Sequence, residues 1–499
     1  MNINISKSAR QEEAINKWLD NKGIGTFNWV TGMGKTVVST KIIAKIVAKI
    51  ETHIRNTQPK TKNDIGLLRK YVVASLKIAI VVPSTTLKEQ WTSILEKQFP
   101  SYIDCFIINT MHSFSDPKYS ENVYLVIYDE IHLYLDNNYF SLFSNIKAKF
   151  KLGLSGTLFK DNKFIKENCP IIDVITEQEA MDNNWISEHQ QINYLVTLDD
   201  SENSIYRTES SFIAKYTPLF NFRNSSFFDT LKRCTTDLTL CDSISIFNNY
   251  RPEKRKRRLP QDFKADGTVK FEELSRDDVK TIAELLTWSM ARRQQILFEA
   301  RNKRWKMVEF LKTYPNRVYI IFVQFIKDVN SLIYYLKSHG IIAAPFHSQL
   351  EKIPLYKLPN GTLTTIKCSK AVVEKYKSGE KAGQPKTYGT PKIKEAILND
   401  MRAGKYNVLI SNTAGDTGVD IPNLDTSINL CYTGNPVQHH QRKGRVIRLT
   451  EDKKALVINF ACQNTIEMKK LEAGQSMTNN KITVVKNLKE LQTSIIDYF

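Results

Sequence analysis

The sequence predicts an α/β protein with two parallel sheets, one in each half of the chain. Short apolar segments alternate with helical stretches, which is the pattern of parallel strands joined by crossover helices. This alternation occurs twice, and the sequence between the two series, from about Ser201 to Trp288, lacks it. The candidate strands of the first series are 27–30, 78–82, 106–109, 125–128 and 152–154, and those of the second are 318–325, 341–346, 407–412, 426–430 and 455–460.

The length of 499 residues and a hydrophobic content of 41% allow more than one core. At about 100 to 200 residues per domain, roughly two to four units are expected. The predicted division is a first lobe at 1–200, a helical or irregular linker and insert at 201–290, a second lobe at 291–470 with a Lys-rich insert at 351–394, and a C-terminal extension at 471–499.

Basic residues exceed acidic ones by 71 to 52, which gives a net charge of +19. Such an excess indicates a polyanionic partner, either nucleic acid or an anionic membrane surface. Residues 251–258 hold six basic residues and one acidic residue, and residues 351–394 hold ten lysines and three glutamates. Each segment is either an element that selects a nucleic-acid structure or a solvated loop.

Seven cysteines are widely spaced, with no C-x-x-C pair and no histidine at zinc-ligand spacing. This pattern argues against structural zinc and iron–sulfur clusters and fits free thiols in a reducing compartment. No segment has the apolar core of a signal peptide or approaches the roughly 18 apolar residues of a membrane span. We therefore expect no membrane association and a cytoplasmic location, meaning the host cytoplasm for a phage protein, or the nucleus for a eukaryotic one.

A glycine-rich loop follows the first strand in the sequence FNWVTGMGKTVV. Glycines let backbone N–H groups close around phosphates, the lysine reaches the β and γ phosphates, and the hydroxyl after it can ligate Mg²⁺. Trp29 stands at the first glycine of the longer G-x-x-x-x-G-K-[ST] pattern, so a plain turn before a helix is the alternative. The candidate nucleotide-binding residues are Thr31, Gly32, Met33, Gly34, Lys35 and Thr36.

Two adjacent carboxylates, Asp129 and Glu130, follow the apolar strand YLVIY. The carboxyl ends of parallel strands are where α/β folds bind ligands. Asp129 is the candidate Mg²⁺ ligand, and Glu130 is the candidate base that orients and deprotonates an attacking water. Together with the phosphate loop, the pair predicts a site that hydrolyses ATP.

A basic segment near the C-terminus has the sequence QHHQRKGRVIR at 438–448. Arg445 and Arg448 are three residues apart, so on a helix they share a face and can both reach a phosphoryl group bound by the other lobe. A solvated basic helix is the alternative. His439 and His440 have no third ligand at a fitting spacing, which argues against a metal site there.

In combination, these motifs resemble those of superfamily 2 helicases and translocases, and further segments follow in the family's order. Gln11 resembles the adenine-reading Q motif. The other resemblances are motif Ia at 81–91, motif Ib at 108–114, motif III at 155–157 with glycine where alanine is usual, motif IV at 320–325 and motif V at 412–425.

The resemblance implies two RecA-like lobes that bind ATP and Mg²⁺ between them and move along nucleic acid. Beyond the residues already named, it implies nucleotide contacts from Gln11, Asp420 and Gln441, coupling of the two sites by His132, Ser155 and Thr157, and backbone contacts to nucleic acid from Thr85, Thr110 and Thr413.

Within the superfamily, the DEIH sequence and the spacing of the basic motif resemble the DNA-acting UvsW, RecG and XPB-like group more than DEAD-type RNA helicases. The expected substrate is therefore single-stranded, forked or branched DNA in replication, recombination or repair, with RNA as an alternative. A motor subunit of a restriction or nuclease-helicase system, with the nuclease in trans, and an ATP-dependent clamp that does not unwind are the remaining alternatives.

Overall fold

The structure is a computed structural model, and the part of the chain it describes comprises residues 6–56, 69–71, 76–134, 139–156, 163–221, 226–250, 274–379, 381–412, 421, 423–431, 436–449, 453–475 and 482–496. The basic segment at 251–258 lies outside these residues, as do Thr157, Thr413 and Asp420.

The first lobe contains a sheet of parallel strands. Its strands are β1 (Ile24–Trp29), β2 (Ile78–Val82), β3 (Phe106–Thr110), β4 (Glu121–Asp129), β5 (Ile146–Ser155) and β6 (Ile171–Ile175). Their order across the sheet is β3-β2-β4-β5-β1-β6. Asp129 pairs in register with Leu154, and Asn28 pairs with Ser155, so β1, β4 and β5 end at the same edge of the sheet.

Helices cover this sheet, and capping side chains start three of them. Ser6, Ser84 and Thr176 each accept a hydrogen bond from a backbone N–H in the first turn of the helix that follows, which satisfies a donor that the helix itself cannot. The helices are α1 (Lys7–Asp20), α2 (Lys35–Asn56), α3 (Thr85–Gln98), α4 (Met111–Phe114), α5 (Ser141–Asn145), α6 (Lys163–Asn168) and α7 (Glu177–Asp182), with 3₁₀ turns at Pro100–Cys105 and Ile131–Tyr134.

The remaining strands belong to the second lobe. They are β7 (His189–Val196), β8 (Tyr319–Phe322), β9 (Ala343–Pro345), β10 (Ile353–Pro354), β11 (Tyr356–Lys357), β12 (Leu363–Thr364), β13 (Val372–Val373), β14 (Thr387–Tyr388), β15 (Val408–Ser411), β16 (Thr426–Asn429), β17 (Ala455–Cys462) and β18 (Ile482–Val485). Seven of them form one sheet in the order β18-β7-β17-β16-β8-β15-β9.

Strand β7 is the main difference from the predicted division of the chain. The sequence pattern predicts that residues up to 200 belong to the first lobe, whereas β7 lies in the sheet of the second lobe, paired in parallel with β18. Hydrogen bonds between three asparagine side chains run across β16, β17 and β7. The Asn429 side chain donates to Asn459 at 2.8 Å, and Asn459 donates to Asn193 at 3.0 Å. The second sheet is thus built from segments far apart in sequence.

The Lys-rich insert forms small antiparallel sheets. Strands β11, β12 and β13 form one, and β10 and β14 form another. We call residues 351–388 the β-module. The helices of the second lobe are α13 (Ile326–Ser338), α14 (Thr390–Arg402), α15 (Pro436–Val446), α16 (Ile466–Gln475) and α17 (Leu488–Ser494).

The described residues divide into two compact units, of which one holds both lobes and the other holds Leu195–Thr313 and Phe460–Met468. The second unit is mainly helical, with α8 (Asp200–Tyr216), α9 (Phe227–Cys234), α10 (Leu238–Tyr250), α11 (Arg276–Glu299), α12 (Arg301–Thr313) and a 3₁₀ turn at Thr217–Phe220. Within it, the fully buried Lys303 ammonium donates to both carboxylate oxygens of Glu467 at 2.7 Å.

The predicted fold class is confirmed: two parallel sheets with helices form a dual-lobe α/β architecture. Every strand segment in both predicted series contains or overlaps a strand. Strands β6, β7 and β18 and the short strands β10 to β14 of the insert were not predicted. In the part of the chain that the structure describes, no helix combines the length and apolar character needed to cross a membrane.

Candidate active site

The phosphate loop connects the end of β1 to the start of α2. Gly32 and Gly34 have φ angles of +96° and +81°, a backbone region that side chains with a Cβ rarely adopt. The Gln11 side chain donates a hydrogen bond to the Met33 carbonyl at 2.9 Å, and a Cβ on Gly34 would lie 2.8 Å from the Gln11 amide nitrogen. The positive φ therefore favours glycine at position 34, and a Cβ there would displace the Gln11 amide that fixes the loop.

A lysine that sequence reasoning missed holds the other side of the loop. The Lys7 ammonium donates to the Gly32 carbonyl at 2.6 Å and to the Trp185 carbonyl at 3.0 Å. Burial lowers the pKa of Lys7 below its ordinary value. No motif marks this residue in the sequence, because its partners are backbone carbonyls that any residue could supply.

Asp129 is the last residue of β4 and is buried. One carboxylate oxygen accepts a hydrogen bond from the Trp91 indole N–H at 2.9 Å. Burial, together with the adjacent Glu130 charge, raises the pKa of Asp129 to about 6. A cation bound here would remove the cause of that shift, because it would compensate the charge that burial disfavours.

Glu130 has a left-handed backbone with a φ of +55°, which is uncommon for a residue with a side chain. One carboxylate oxygen lies 3.7 Å from the Lys35 ammonium, and the other accepts a hydrogen bond from the Gly156 N–H at 3.0 Å. Burial alone raises the pKa of Glu130, but Lys35, His132, the Gly156 amide and Arg445 outweigh it and lower the pKa. Glu130 is therefore held in its charged form.

His132 links the carboxylates to the end of β5. Its Nδ1 lies 2.9 Å from the Ser155 hydroxyl oxygen and 3.5 Å from a Glu130 carboxylate oxygen. Burial and the Lys35 charge lower the pKa of His132 despite the opposing effect of Glu130. The ring is therefore neutral near pH 7, and it connects the predicted residues Glu130 and Ser155.

Residues 438–446 of the basic motif lie in helix α15 of the second lobe, which approaches the phosphate loop. Arg448 lies beyond the end of this helix, so the predicted helical face shared by Arg445 and Arg448 is not observed. A Cβ on Gly444 would lie 2.5 Å from both Cβ and Oγ1 of Thr31, so only glycine permits this approach. Arg442 anchors the helix by donating to the Cys431 carbonyl at 2.9 Å and by stacking over the Phe322 ring at 4.9 Å. Arg445 lies close enough for its charge to lower the pKa of Glu130.

A buried ion pair connects this helix to the first lobe. The Lys443 ammonium donates to Glu177 at the start of α7, and Glu177 also pairs with the His189 Nε2 at 2.6 Å. Burial raises the pKa of Glu177, but Lys443 and His189 more than reverse this and hold it well below its ordinary range. We call Glu177, His189 and Lys443 the interlobe triad.

The segment between the lobes adds backbone contacts to the triad. The Ser187 N–H donates to the Ile447 carbonyl at 2.9 Å, and the Ser187 hydroxyl donates to the Arg448 carbonyl at 3.0 Å. Sequence reasoning missed these contacts and the triad, since Glu177 and Lys443 are 266 residues apart.

The predicted nucleic-acid residues lie along the same edge of the first sheet as the carboxylates. Thr85 is exposed at the start of α3, just after β2, and Thr110 ends β3, with its hydroxyl 3.3 Å from that of Ser113. Val82 and Thr110 pair in register. Gln441 lies on α15. Thr157, Thr413 and Asp420 lie outside the described residues.

The arrangement fits Mg²⁺ with a nucleotide triphosphate. The buried Lys35 ammonium makes no hydrogen bond within the described residues, and it projects from the first residue of α2 behind the phosphate loop. Asp129, with its raised pKa, and the Thr36 hydroxyl supply the oxygen donors that Mg²⁺ prefers. Phosphate oxygens and a dication would satisfy these groups together.

Two family models match the chain: the helicase conserved C-terminal domain at residues 363–450 and the type III restriction enzyme res subunit at residues 4–111. The chain is 22% identical over 484 residues to the DNA 3'-5' translocase XPB2 of Sulfurisphaera tokodaii, covering 92% of this chain and 82% of that protein.

A shorter match, 31% identical over 68 residues, is to the ATP-dependent DNA helicase MPH1 of Saccharomyces cerevisiae; it covers 14% of this chain and 7% of that protein. Among solved structures, S. cerevisiae Dbp5 bound to RNA and ADP BeF3 has a TM-score of 0.50 at 14% identity, over 98% of this chain and 92% of that one. The structural likeness concerns the fold alone.

Proposed function

Because the chain is an ATP-hydrolysing helicase of superfamily 2, we propose that it couples Mg²⁺-dependent ATP hydrolysis to movement along DNA. The observation that carries the proposal is the environment of Glu130, whose carboxylate is buried between the Lys35 ammonium and the Gly156 N–H. A base in such a position is charged and fixed before substrate arrives.

The residues of the first lobe perform the hydrolytic chemistry in this proposal. Lys35 neutralises the terminal phosphates, and Glu130 orients and deprotonates the attacking water. Mg²⁺ held by Thr36 and Asp129 would supply charge stabilisation at the phosphate oxygens. Gln11 and Lys7 fix the loop conformation through the carbonyls of Met33 and Gly32.

The second lobe supplies positive charge to the same reaction. Arg445, whose charge already lowers the pKa of Glu130, and Arg448 act as fingers on the transferred phosphoryl group. His132 and Ser155 couple this site to the nucleic-acid surface through their hydrogen bond. Nucleotide turnover would then alternately close and open the contact between α15 and the phosphate loop.

The nucleic-acid contacts in the proposal are to the sugar-phosphate backbone. Thr85, Thr110 and Thr413 would contact phosphates, which carry no sequence information. We therefore expect nucleic acid to stimulate the ATPase and expect binding to weaken steeply with salt.

DNA is the proposed substrate because the relative that matches over most of this chain is a DNA translocase, and the relative with the shorter match is a DNA helicase. The proposed setting is remodelling of replication, recombination or repair intermediates. The match to the type III restriction res subunit supports a second candidate, a motor subunit that works with a nuclease in trans.

The test combines ATPase and strand-displacement assays on DNA and RNA duplexes with 3′ or 5′ tails. Glu130→Gln should bind ATP and DNA but lose about 10²- to 10⁴-fold in turnover, because it removes the general base. Glu121→Gln, at the opposite end of β4 in an exposed pair with Lys77, is the matched control. Retained turnover in Glu130→Gln would contradict the base assignment, and displacement of RNA duplexes alone would contradict the DNA assignment.

A further inference from the structure

The β-module lies at a particular edge of the second sheet. The chain leaves the sheet at the carboxyl end of β9, forms the module and returns through α14 to β15. Because β9 is parallel to β15, and β15 is parallel to β8, the carboxyl ends of all three strands share one edge. Predicted motif IV, at 320–325, includes the end of β8 at that edge, and predicted motif V begins at Asn412, directly after β15.

The module is anchored to α14 through a buried carboxylate. Asp400 accepts hydrogen bonds from the Thr364 hydroxyl and from the Thr365 N–H, the latter at 2.7 Å, and pairs with Lys405 at 2.9 Å. Leu355, a residue of the module, is fully buried. These contacts fix one face of the module against the lobe, so it is an ordered element rather than a solvated loop.

Outside these contacts, the module carries an excess of exposed positive charge. The module sequence contains eight lysines and three glutamates and no arginine or aspartate. Glu374 is already shared by Lys357 at 3.0 Å and Lys386 at 3.8 Å. The remaining lysines of the module are exposed and make no ion pair within the described residues: Lys352, Lys367, Lys370, Lys375, Lys377 and Lys381.

Three of these lysines lie on a single hairpin. Lys375 bridges to Pro385 in antiparallel fashion, and the Gly383 N–H donates to the Tyr376 carbonyl at 3.0 Å, which closes the hairpin beyond β13 and β14. Lys375 and Lys377 flank the half-buried Tyr376 and are both exposed, and Lys381 lies in the turn.

The side chains favour double-stranded nucleic acid over a single strand. Surfaces that bind single strands present aromatic rings on which bases stack. The tyrosines of this hairpin are instead half-buried and hydrogen-bonded, Tyr376 to the Thr387 hydroxyl at 3.2 Å and Tyr388 to Glu374. Lysines act as point charges toward phosphates and read no base pattern.

We propose that the β-module contacts the phosphate backbone of duplex nucleic acid adjoining the strand that the motor motifs bind. This inference rests on the proposed function and adds a second, duplex-specific contact to it. The module would thus make affinity depend on the presence of a duplex, without selecting sequence.

The test is the triple variant Lys375→Gln, Lys377→Gln, Lys381→Gln in the full chain. The probes are a DNA duplex with a single-stranded tail and the same tail strand alone. A control triple variant, Lys97→Gln, Lys147→Gln, Lys337→Gln, removes the same charge from exposed lysines at the amino edges of the sheets, near the end of α3, the start of β5 and the end of α13.

We expect the module variant to bind the tailed duplex at least about tenfold more weakly and to lower the slope of log affinity against log salt by roughly 2 to 3, because each lost phosphate contact removes about 0.9. Binding of the single strand and its stimulation of the ATPase should stay unchanged. The control variant should match the wild type in every measurement.

If the module variant and the control variant bind the tailed duplex with equal affinity, the inference is overturned and the proposed function stays intact. The same holds if the module variant loses equal affinity for the tailed duplex and for the single strand. Loss of binding to vesicles of phosphatidylserine and phosphatidylcholine, with duplex binding unchanged, would assign the lysines to a membrane surface instead. A wild-type ATPase that no DNA stimulates would overturn the proposed function and this inference together.

Discussion

The candidate active site and the β-module use charge in opposite ways. In the active site, the Lys35 and Glu130 side chains are largely buried and carry opposite charges. The Lys443 and Glu177 side chains of the interlobe triad form a buried pair of the same kind. In the β-module, most lysines are exposed, and the one described glutamate that forms ion pairs is shared by Lys357 and Lys386. One region holds its charges in buried pairs of opposite sign, and the other keeps an exposed excess of positive charge.

Buried and exposed charges control different properties of a protein. Charges removed from water are costly unless paired, so they are held in a fixed geometry suited to transition-state stabilisation. Exposed charges cost little to maintain, are screened by salt and attract polyanions over a distance. We therefore expect changes in the first region to affect turnover and stability, and changes in the second to affect affinity and its salt dependence.

The largest effect should come from breaking the buried pair of the interlobe triad. Lys443→Met leaves the buried Glu177 carboxylate with His189 as its remaining partner and should cost about 3 to 5 kcal/mol in the free energy of unfolding, because the buried charge loses its ammonium partner. Thermal denaturation measures the loss as a lowered Tm. Lys45→Met, which breaks the exposed pair of Lys45 with Glu12 at 3.0 Å, should cost about 1 kcal/mol or less.

A double variant tests whether the loss of stability comes from the buried charge that remains. Lys443→Met with Glu177→Met removes both charges and should recover much of the lost stability, because apolar replacement of a buried pair is often neutral. If Lys443→Met is no more destabilising than Lys45→Met, burial does not distinguish the two ion pairs. The expectation that changes to buried charges affect stability more than changes to exposed charges would then be wrong.

An intermediate effect is expected at the contact between α15 and the phosphate loop. Gly444→Ala places a Cβ 2.5 Å from Thr31, so the helix or the loop must shift, at a cost of about 1 to 3 kcal/mol. The ATPase kcat should fall while DNA affinity stays near the wild-type value. Gly389→Ala, where an added Cβ meets nothing within 4 Å, is the control. Equal kcat values in the two variants would show that the close approach is dispensable.

The smallest expected effect is a pH dependence of Mg²⁺-dependent nucleotide binding. The pKa of Asp129 is raised to about 6, so the folded protein protonates this carboxylate as pH falls through that value. A metal binds only the deprotonated form, and affinity should therefore fall by roughly tenfold per pH unit below the pKa. Titration with a fluorescent ADP analogue at several pH values measures this affinity. The Asp129→Asn variant lacks the titrating carboxylate, so its pH dependence shows the part that comes from protonation of the nucleotide. An identical pH profile in the two proteins would refute the assignment.

The sequence predicted the parts of the active site that are local in the chain. The phosphate loop and the two carboxylates each occupy a strand end, so a few adjacent residues contain the whole signal. The structure brings Lys35 and Glu130 to within 3.7 Å, as their expected roles require, although those roles remain predictions.

Contacts between distant residues had no such signal. The Trp91 indole bonded to Asp129 sits inside an ordinary amphipathic helix, and Lys7 binds carbonyls that carry no residue identity. The left-handed backbone of Glu130 depends on what surrounds it rather than on its residue type. Strand order across each sheet is likewise set by packing that pairs segments far apart, and strand β7 was assigned to the first lobe for that reason.

The position of β7 has a consequence for how the protein folds during synthesis. Its neighbours β17 and β18 come late in the chain, and the buried bond between Asn193 and Asn459 spans 266 residues. At roughly 5 to 20 residues per second, a ribosome needs on the order of 10 to 50 seconds to cross that interval. Throughout it, the apolar edge of β7 has no partner strand. The second lobe therefore cannot complete its sheet until β17 and β18 have been synthesised.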